Sequence, residues 1–282
     1  MKETKKFISP GAWFSMEYPK SWFEFEDGEG SFLFYNPDVW DGNFRISAER
    51  GYSESYGEEV LKEEARHYKS YEKIDMVSGK ALFGSSIFKE EENEYISYHW
   101  LYAVNDMFFE CTFTTFTSQN EQVALEVLNS IVVRDLEGKY PSEVIPVRLS
   151  EVYRINNDFE WVVDFIKEKY AVPFQGEEQD IQLLDKLKND DVIGKKKREQ
   201  WQAVGITLAV ILANEVEGLE WHTLIDGNRE DPVLCYKSTQ SIIDPMKLVW
   251  SKIKGGEEFT ILSSYKEALE VLSEEGKRDV AL

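Results

Sequence analysis

A chain of 282 residues exceeds one ordinary domain, and 42% hydrophobic with 14% aromatic residues supplies material for packed cores, which excludes a disordered chain. The formal net charge is −21, with 26 acidic and 14 basic side chains up to residue 140 and 27 and 18 after it. Both parts would repel a phosphate backbone or an anionic membrane surface, so neither nucleic acid nor membrane is an expected partner.

Short runs of alternating aromatic and polar residues predict strands in the first part: WFSMEY (13–18), WFEFED (22–27), SFLFYN (31–36) and NFRISAE (43–49), each closed by Pro or Gly. Helical spacing of Val60, Leu61, Ala65 and Tyr68 predicts a helix over 58–71. KALFGSSIFKE, EYISYHWLYAV and MFFECTFTTF predict three more strands, the last two joined by a turn at Asn105-Asp106. Ser118 as N-cap with Glu121 at the capping-box position predicts the next helix, QNEQVALEVLNSIVV. The segment 135–146, with Gly138, Pro141 and Pro146, is the expected linker, giving domains of 1–138 and 145–282.

After it the pattern is helical over LSEVYRINNDFEWVVDFIKEKYA, DIQLLDKLKND and REQWQAVGITLAVILANEVEG. The apolar run VGITLAVILA (204–213) is half of what a bilayer span needs. Two strands, LEWHTLID and PVLCYKS, form a hairpin around the acidic loop DGNREDP. One helix follows over PMKLVWSKIKGG, capped by Asp244 and stopped by the double glycine; another, SSYKEALEVLSEEG, is capped by Ser263 or Ser264 and stopped by Gly276. The fold class is α+β: an antiparallel sheet covered by helices, then a mostly helical domain with a small β-hairpin sheet.

The opening FSMEYPKSWFEFEDGEGSFLFYNP, with Tyr18, Pro19 and Trp22 in a "YP..W" turn, resembles the PsbP-like, Mog-type αβα sandwich over residues 7–134. That resemblance implies a binding or assembly factor without a shared catalytic apparatus, a bias from fold analogy alone. Trp201, Ala203, Gly205, Ile206, Leu208, Leu212, Gly218, Leu219, Trp221, Asp226, Asp231, Pro232 and Leu234 form a pattern similar to a bacterial domain family of unknown function. Together the halves resemble an uncharacterised two-domain bacterial family, which transfers no ligand or catalytic residue.

The residues that bear chemistry are few. His222, Asp226 and Cys235 of the hairpin hold the types a Cys/His-dependent hydrolase needs. The strand's apolar face carries Leu219, Trp221, Thr223 and Ile225, which leaves Glu220, His222, Leu224 and Asp226 on the other, and no oxyanion turn adjoins Cys235. The bland alternative is a core-edge hairpin with a solvated loop. Three scattered histidines and two distant cysteines give no metal-ligand spacing, and no phosphate loop is present, so neither metal nor cofactor is expected. The basic run Lys195–Arg198 reads as a solvated helix start, with a local RNA contact as the alternative.

Phe34, Tyr35, Trp40, Tyr52 and Tyr56 beside acidic groups fit either a protein-recognition rim or rings that pack the sandwich. Trp40, Tyr52, Tyr56, Trp221, Asp226, Arg229 and Asp231 are the candidate binding residues. Cysteines 124 residues apart, and an N-terminus without an apolar leader, point to a reduced cytoplasmic setting. The function expected is non-catalytic binding of a basic protein, for example as an immunity or antidote protein. The alternatives are a Cys/His-dependent hydrolase and a chaperone or assembly factor.

Overall fold

The computed structural model describes residues 3–28, 30–135, 138–236 and 241–279. The chain divides into two compact units, Met1–Leu149 with Ile225–Asn228, and Ser150–Leu224 with Arg229–Leu282.

The first unit runs β1 (Thr4–Ile8), β2 (Phe14–Pro19), β3 (Phe23–Gly28), β4 (Ser31–Tyr35), β5 (Asn43–Arg50), α1 (Tyr56–His67), β6 (Glu72–Asp75), β7 (Lys80–Glu90), β8 (Asn93–Val104), β9 (Met107–Phe116), α2 (Gln122–Asn129), β10 (Val132–Val133) and β11 (Glu143–Pro146). Seven strands make one antiparallel sheet in the order β3-β4-β5-β9-β8-β7-β6, and β1-β2-β10 make a small second one. Alternation decides which side chains enter the core. Phe32, Phe34, Phe44, Ile46, Trp100, Tyr102, Phe109 and Phe113 point to one face, where Phe7, Phe14, Met16 and α2's Ala124, Val127 and Leu128 meet them. On the opposite face Leu61 of α1 packs with Leu82, Leu101, Ala103 and Phe108. The sheet is thus sandwiched between α1 and a layer of α2 with the small sheet.

Trp22 is fully buried, stacks near Phe44 and Phe113 at 6.3 and 6.1 Å, and donates its Nε1–H to Asp41 Oδ1 at 3.1 Å. The tip of the later hairpin contributes Ile225 to a separate cluster with Ile8, Ala12 and Ile145.

The second unit holds α3 (Leu149–Tyr170), α4 (Ile181–Asn189), α5 (Arg198–Glu215), β12 (Leu219–Asp226), β13 (Arg229–Tyr236), β14 (Ile242–Ile243), α6 (Pro245–Leu248), α7 (Trp250–Gly255) and α8 (Ile261–Asp279). α5 is buried almost all round, from Trp201 to Leu212, which explains its continuous apolar run. No helix among the described residues is long and apolar enough to cross a membrane.

Several local expectations need correction. α2 begins at Gln122, not behind Ser118: a turn from Gln119 N–H to Phe116 O intervenes, and Asn120 Oδ1 accepts from Gln122 N–H at 3.1 Å. The expected linker ends in β11, which lies against β1. The helix after Asp244 is two helices, because the buried, β-branched Val249 sits at φ −129°, ψ −63°. α8 starts at Ile261, where Asp185 accepts from the Ile261 and Leu262 N–H groups at 2.5 and 3.2 Å, and it continues past Gly276. Residues 237 and 238 of the expected PVLCYKS strand lie outside the described residues.

Gly205 lets α5 approach α6 closely, since a Cβ there would stand 2.4 Å from Pro245 O. Gly205→Ala should therefore destabilise the second unit by about 1–3 kcal/mol through overpacking. Urea unfolding of the full chain measures this, and a loss below about 0.5 kcal/mol would contradict so tight a crossing.

Candidate functional site

The hairpin turn is confined to Gly227, at φ 66°, and Asn228. Gly227 N–H donates to Tyr140 O at 3.1 Å, and Asp226 lies 3.6 Å from Lys139 Nζ. Arg229–Pro232, expected in a solvated loop, belong to β13, and Asp231 is buried. Leu224, expected on the open face of its strand, is buried as well, so both faces are covered there. Thr223 is fully buried and donates to Glu151 Oε2 at 3.2 Å, and Trp221 is half-buried against the second unit's core.

His222 is half-buried, its Nδ1–H donating to Glu220 O at 3.2 Å. Cys235 is a buried free thiol whose strand position pairs with Ile242. Burial, and then the charge of Glu220, push that thiol up, away from the thiolate a nucleophile requires. Among the described residues no hydrogen bond joins His222 to Cys235, and no group of three His, Cys, Asp or Glu side chains could hold a metal ion.

Arg229 and Asp231 are engaged with each other. Arg229 Nε donates to Asp231 Oδ2 at 2.5 Å and its Nη2 to Asp244 Oδ1 at 2.7 Å, and Arg154 Nη1 donates to Asp231 Oδ1 at 2.8 Å. Burial pulls the Arg229 pKa down, but its bonds to Asp244 and Asp231 outweigh that and hold it above the ordinary value. Asp244 also caps α6, accepting from Met246 N–H at 3.0 Å. The network ties α3, β13 and α6 together.

A more open constellation lies on the seven-stranded sheet. In β9, Met107, Phe109, Cys111, Phe113 and Thr115 are buried, whereas Thr112, Thr114 and Phe116 are half-exposed and Glu110 is exposed. α1 has 12 residues, about 18 Å of helix, and covers this second face only over the rows that contain Leu82, Leu101 and Ala103.

The rows beyond follow from register: Gly84, His99, Thr112 and Arg45; then Ser86, Ser97, Thr114 and Asn43; then Phe88, Tyr95 and Phe116. In the first, His99 Nε2–H donates to Glu110 Oε1 at 3.0 Å, and Nδ1 accepts from Tyr71 OH at 2.7 Å, a tautomer assigned from these partners. The His99 bond holds Glu110 below the ordinary carboxylate range, and burial raises Tyr71. In the second, Thr114 Oγ1 donates to Ser97 Oγ at 3.1 Å.

The last row is aromatic. Phe88 and Tyr95 lie 5.5 Å apart, Tyr95 and Phe116 5.3 Å, and Trp40 meets Phe116 edge-on at 4.7 Å. Trp40 is oriented by its Nε1–H bond to Asn43 Oδ1 at 2.6 Å. Glu90, Glu91, Glu92 and Glu94 surround the adjoining β7–β8 turn. Aromatic rings with carboxylates at their border suit Lys and Arg side chains.

The expected rim therefore separates. Trp40 precedes β5 and Tyr52 and Tyr56 follow it, about 26 Å along an eight-residue strand. Tyr52 is fully exposed, Tyr56 donates to Glu49 Oε2 at 3.2 Å, and Phe34 is fully buried. Tyr95, Phe116 and Phe88 join Trp40 instead. The alternation of EYISYHWLYAV and MFFECTFTTF was the signal available for Tyr95 and Phe116, and the predicted strand KALFGSSIFKE that for Phe88.

Two measurements follow. Asp231→Ala leaves Arg154 and Arg229 without their shared carboxylate and should cost about 3 kcal/mol in urea unfolding; a loss under about 0.5 kcal/mol would place those charges in solvent. Cys235 in the folded chain should react with iodoacetamide with a midpoint above that of an ordinary free thiol, and denaturant should restore the ordinary profile. Rapid native labelling at neutral pH would contradict the raised thiol.

Residues 2–156 match the model of a domain of unknown function, DUF3805, and residues 180–265 that of a second, DUF3806. A crystal structure from Bacteroides thetaiotaomicron VPI-5482 is 48% identical, covering 94% of this chain and 98% of that one, with TM-score 0.88. The solution structure of cyanobacterial PsbP (CyanoP) from Synechocystis sp. PCC 6803 is 13% identical over 48% of this chain and 94% of that one; its TM-score of 0.23 is too low to bear on the fold. No curated protein matches the chain. The chain belongs to the DUF3805 family, with a DUF3806 domain following in the same polypeptide.

Proposed function

We propose that this is a non-catalytic protein-binding module whose partner is basic. The observation that carries the reading is the uncovered part of the sheet face, where Trp40, Phe116, Tyr95 and Phe88 form a row beside Glu90–Glu92 and Glu94. Aromatic residues supply contact area at low entropic cost, and a chain of net charge −21 steers a cationic partner toward it. One concrete form is an immunity or antidote protein that covers a basic toxin. A cytoplasmic setting belongs to the same reading, supported by two buried free cysteines.

A pull-down of a basic toxin candidate encoded beside this gene tests the reading. Binding should weaken steeply with salt, Trp40→Ala should lower affinity about tenfold or more, and Tyr52→Ala should leave it unchanged. Absence of binding at low salt, or equal effects of the two substitutions, would overturn it.

A further inference from the structure

The register of β7 exposes a second kind of recognition element. β7 pairs with β8 over its whole length, from Lys80↔Ala103 to Glu90↔Asn93. Its other neighbour, β6, reaches only Phe83. The Tyr71 ring fills the space above Gly84, where a Cβ would stand 2.3 Å from it. Beyond that point Ser85–Glu90 have β8 on one side and, among the described residues, no strand on the other, and all six are exposed. Every second residue of such a segment points its N–H and C=O groups away from the sheet.

Exposed edges are ordinarily shielded by brevity, bulges, proline or charge. At the opposite edge of the same sheet, β3 carries a register shift between Glu24 and Glu26. β6 is only four residues long. The β7 segment is six residues, a usual strand length, with an unbroken register and no proline, and its two charges, Lys89 and Glu90, stand together at the end next to the turn, where Lys89 pairs with Glu94. It also carries Ile87 at 63% and Phe88 at 41% exposure, one on each face.

We infer that the free edge of β7, Ser85–Glu90, receives an extended strand from the basic partner, which adds to the sheet as an eighth strand. This rests on the proposed binding function and names its mode. Main-chain hydrogen bonds supply the attachment, and side-chain positions on alternate faces supply the selection. A residue on one face of the incoming strand lies beside Ser86 and Phe88, in line with the Tyr95–Phe116–Trp40 row. A residue on the other face lies beside Ser85 and Ile87. Lys or Arg at the end nearest the turn meets Glu90, Glu91 and Glu92. A second copy of the chain is disfavoured as occupant, since it brings another −21 charges and a like turn.

The test uses the full chain and a peptide of about eight residues with alternating Lys and Val. Two further peptides, N-methylated at alternate residues in the two possible frames, keep the charge and shape, and each loses one row of donors. The unmodified peptide should bind about tenfold more tightly than whichever methylation frame faces the edge. Amide protons of β7 between Ser85 and Glu90 should gain protection from exchange. Ser86→Pro and Ile87→Pro provide a second readout: the one whose N–H points outward folds and loses the peptide.

Equal binding of the unmodified peptide and both methylated frames, with no new protection in β7, would overturn strand addition and leave a basic partner in place. Failure of every peptide at low salt, together with a negative pull-down, would remove the underlying reading as well. A concentration-dependent dimer that protects the same amides would assign the edge to a second copy and overturn the basic occupant.

Discussion

The two-residue period of β5, β9 and β8 is the constraint on which the first unit depends. These three strands lie side by side at the centre of the sheet, and each sends alternate residues into one aromatic core. Once Phe44, Phe109, Phe113 and Trp100 are committed inward, the register obliges Asn43, Thr112, Thr114, Tyr95 and His99 to stand on the opposite side. The candidate surface is thus the complement of the core. A slip of one residue would bury the polar row and expose the aromatic one. The helix on that side is shorter than the strands it crosses, so part of the face is left to other uses.

The second unit solves a different problem. Its central helix is apolar around most of its circumference and needs neighbours on every side. α6 can approach because Gly205 has no side chain, and a set of half-buried arginines and buried aspartates ties β13 to α3 and α6. Such a network contributes little over an apolar substitute of the same shape, yet removing one member leaves charge stranded. Arg229 and Asp231 are therefore best understood as a set with Arg154 and Asp244.

Much of the architecture was legible in the chain itself. Strands β2–β5 and β7–β9 announced themselves by alternation and α3 and α4 by helical spacing, whereas α5 was legible from its continuous apolar run. β10 and β14 did not: two residues carry no period, and partners elsewhere hold them. The start of α8 was missed because Asp185, distant in sequence, satisfies its first amides. The aromatic row of the candidate surface was half visible. Trp40 was found from its loop, but its neighbours come from β7, β8 and β9, and only register brings them together. Tyr52 and Tyr56 looked adjacent because sequence proximity conceals the length of an intervening strand. Arg229 and Asp231 looked solvated since nothing local predicts that Arg154 and Asp244 converge on them.

The first unit is not one uninterrupted stretch of chain. Ile225, fully buried, completes the cluster of Ile8, Ala12 and Ile145, and it arrives more than 75 residues after the rest of that unit has ended. During synthesis the sheet can form early, but this corner stays unfinished until most of the second unit has left the ribosome. The order in which residues emerge is therefore not the order in which the units close, and a cut between the two family segments would leave the earlier one with an apolar vacancy that its own sequence cannot fill.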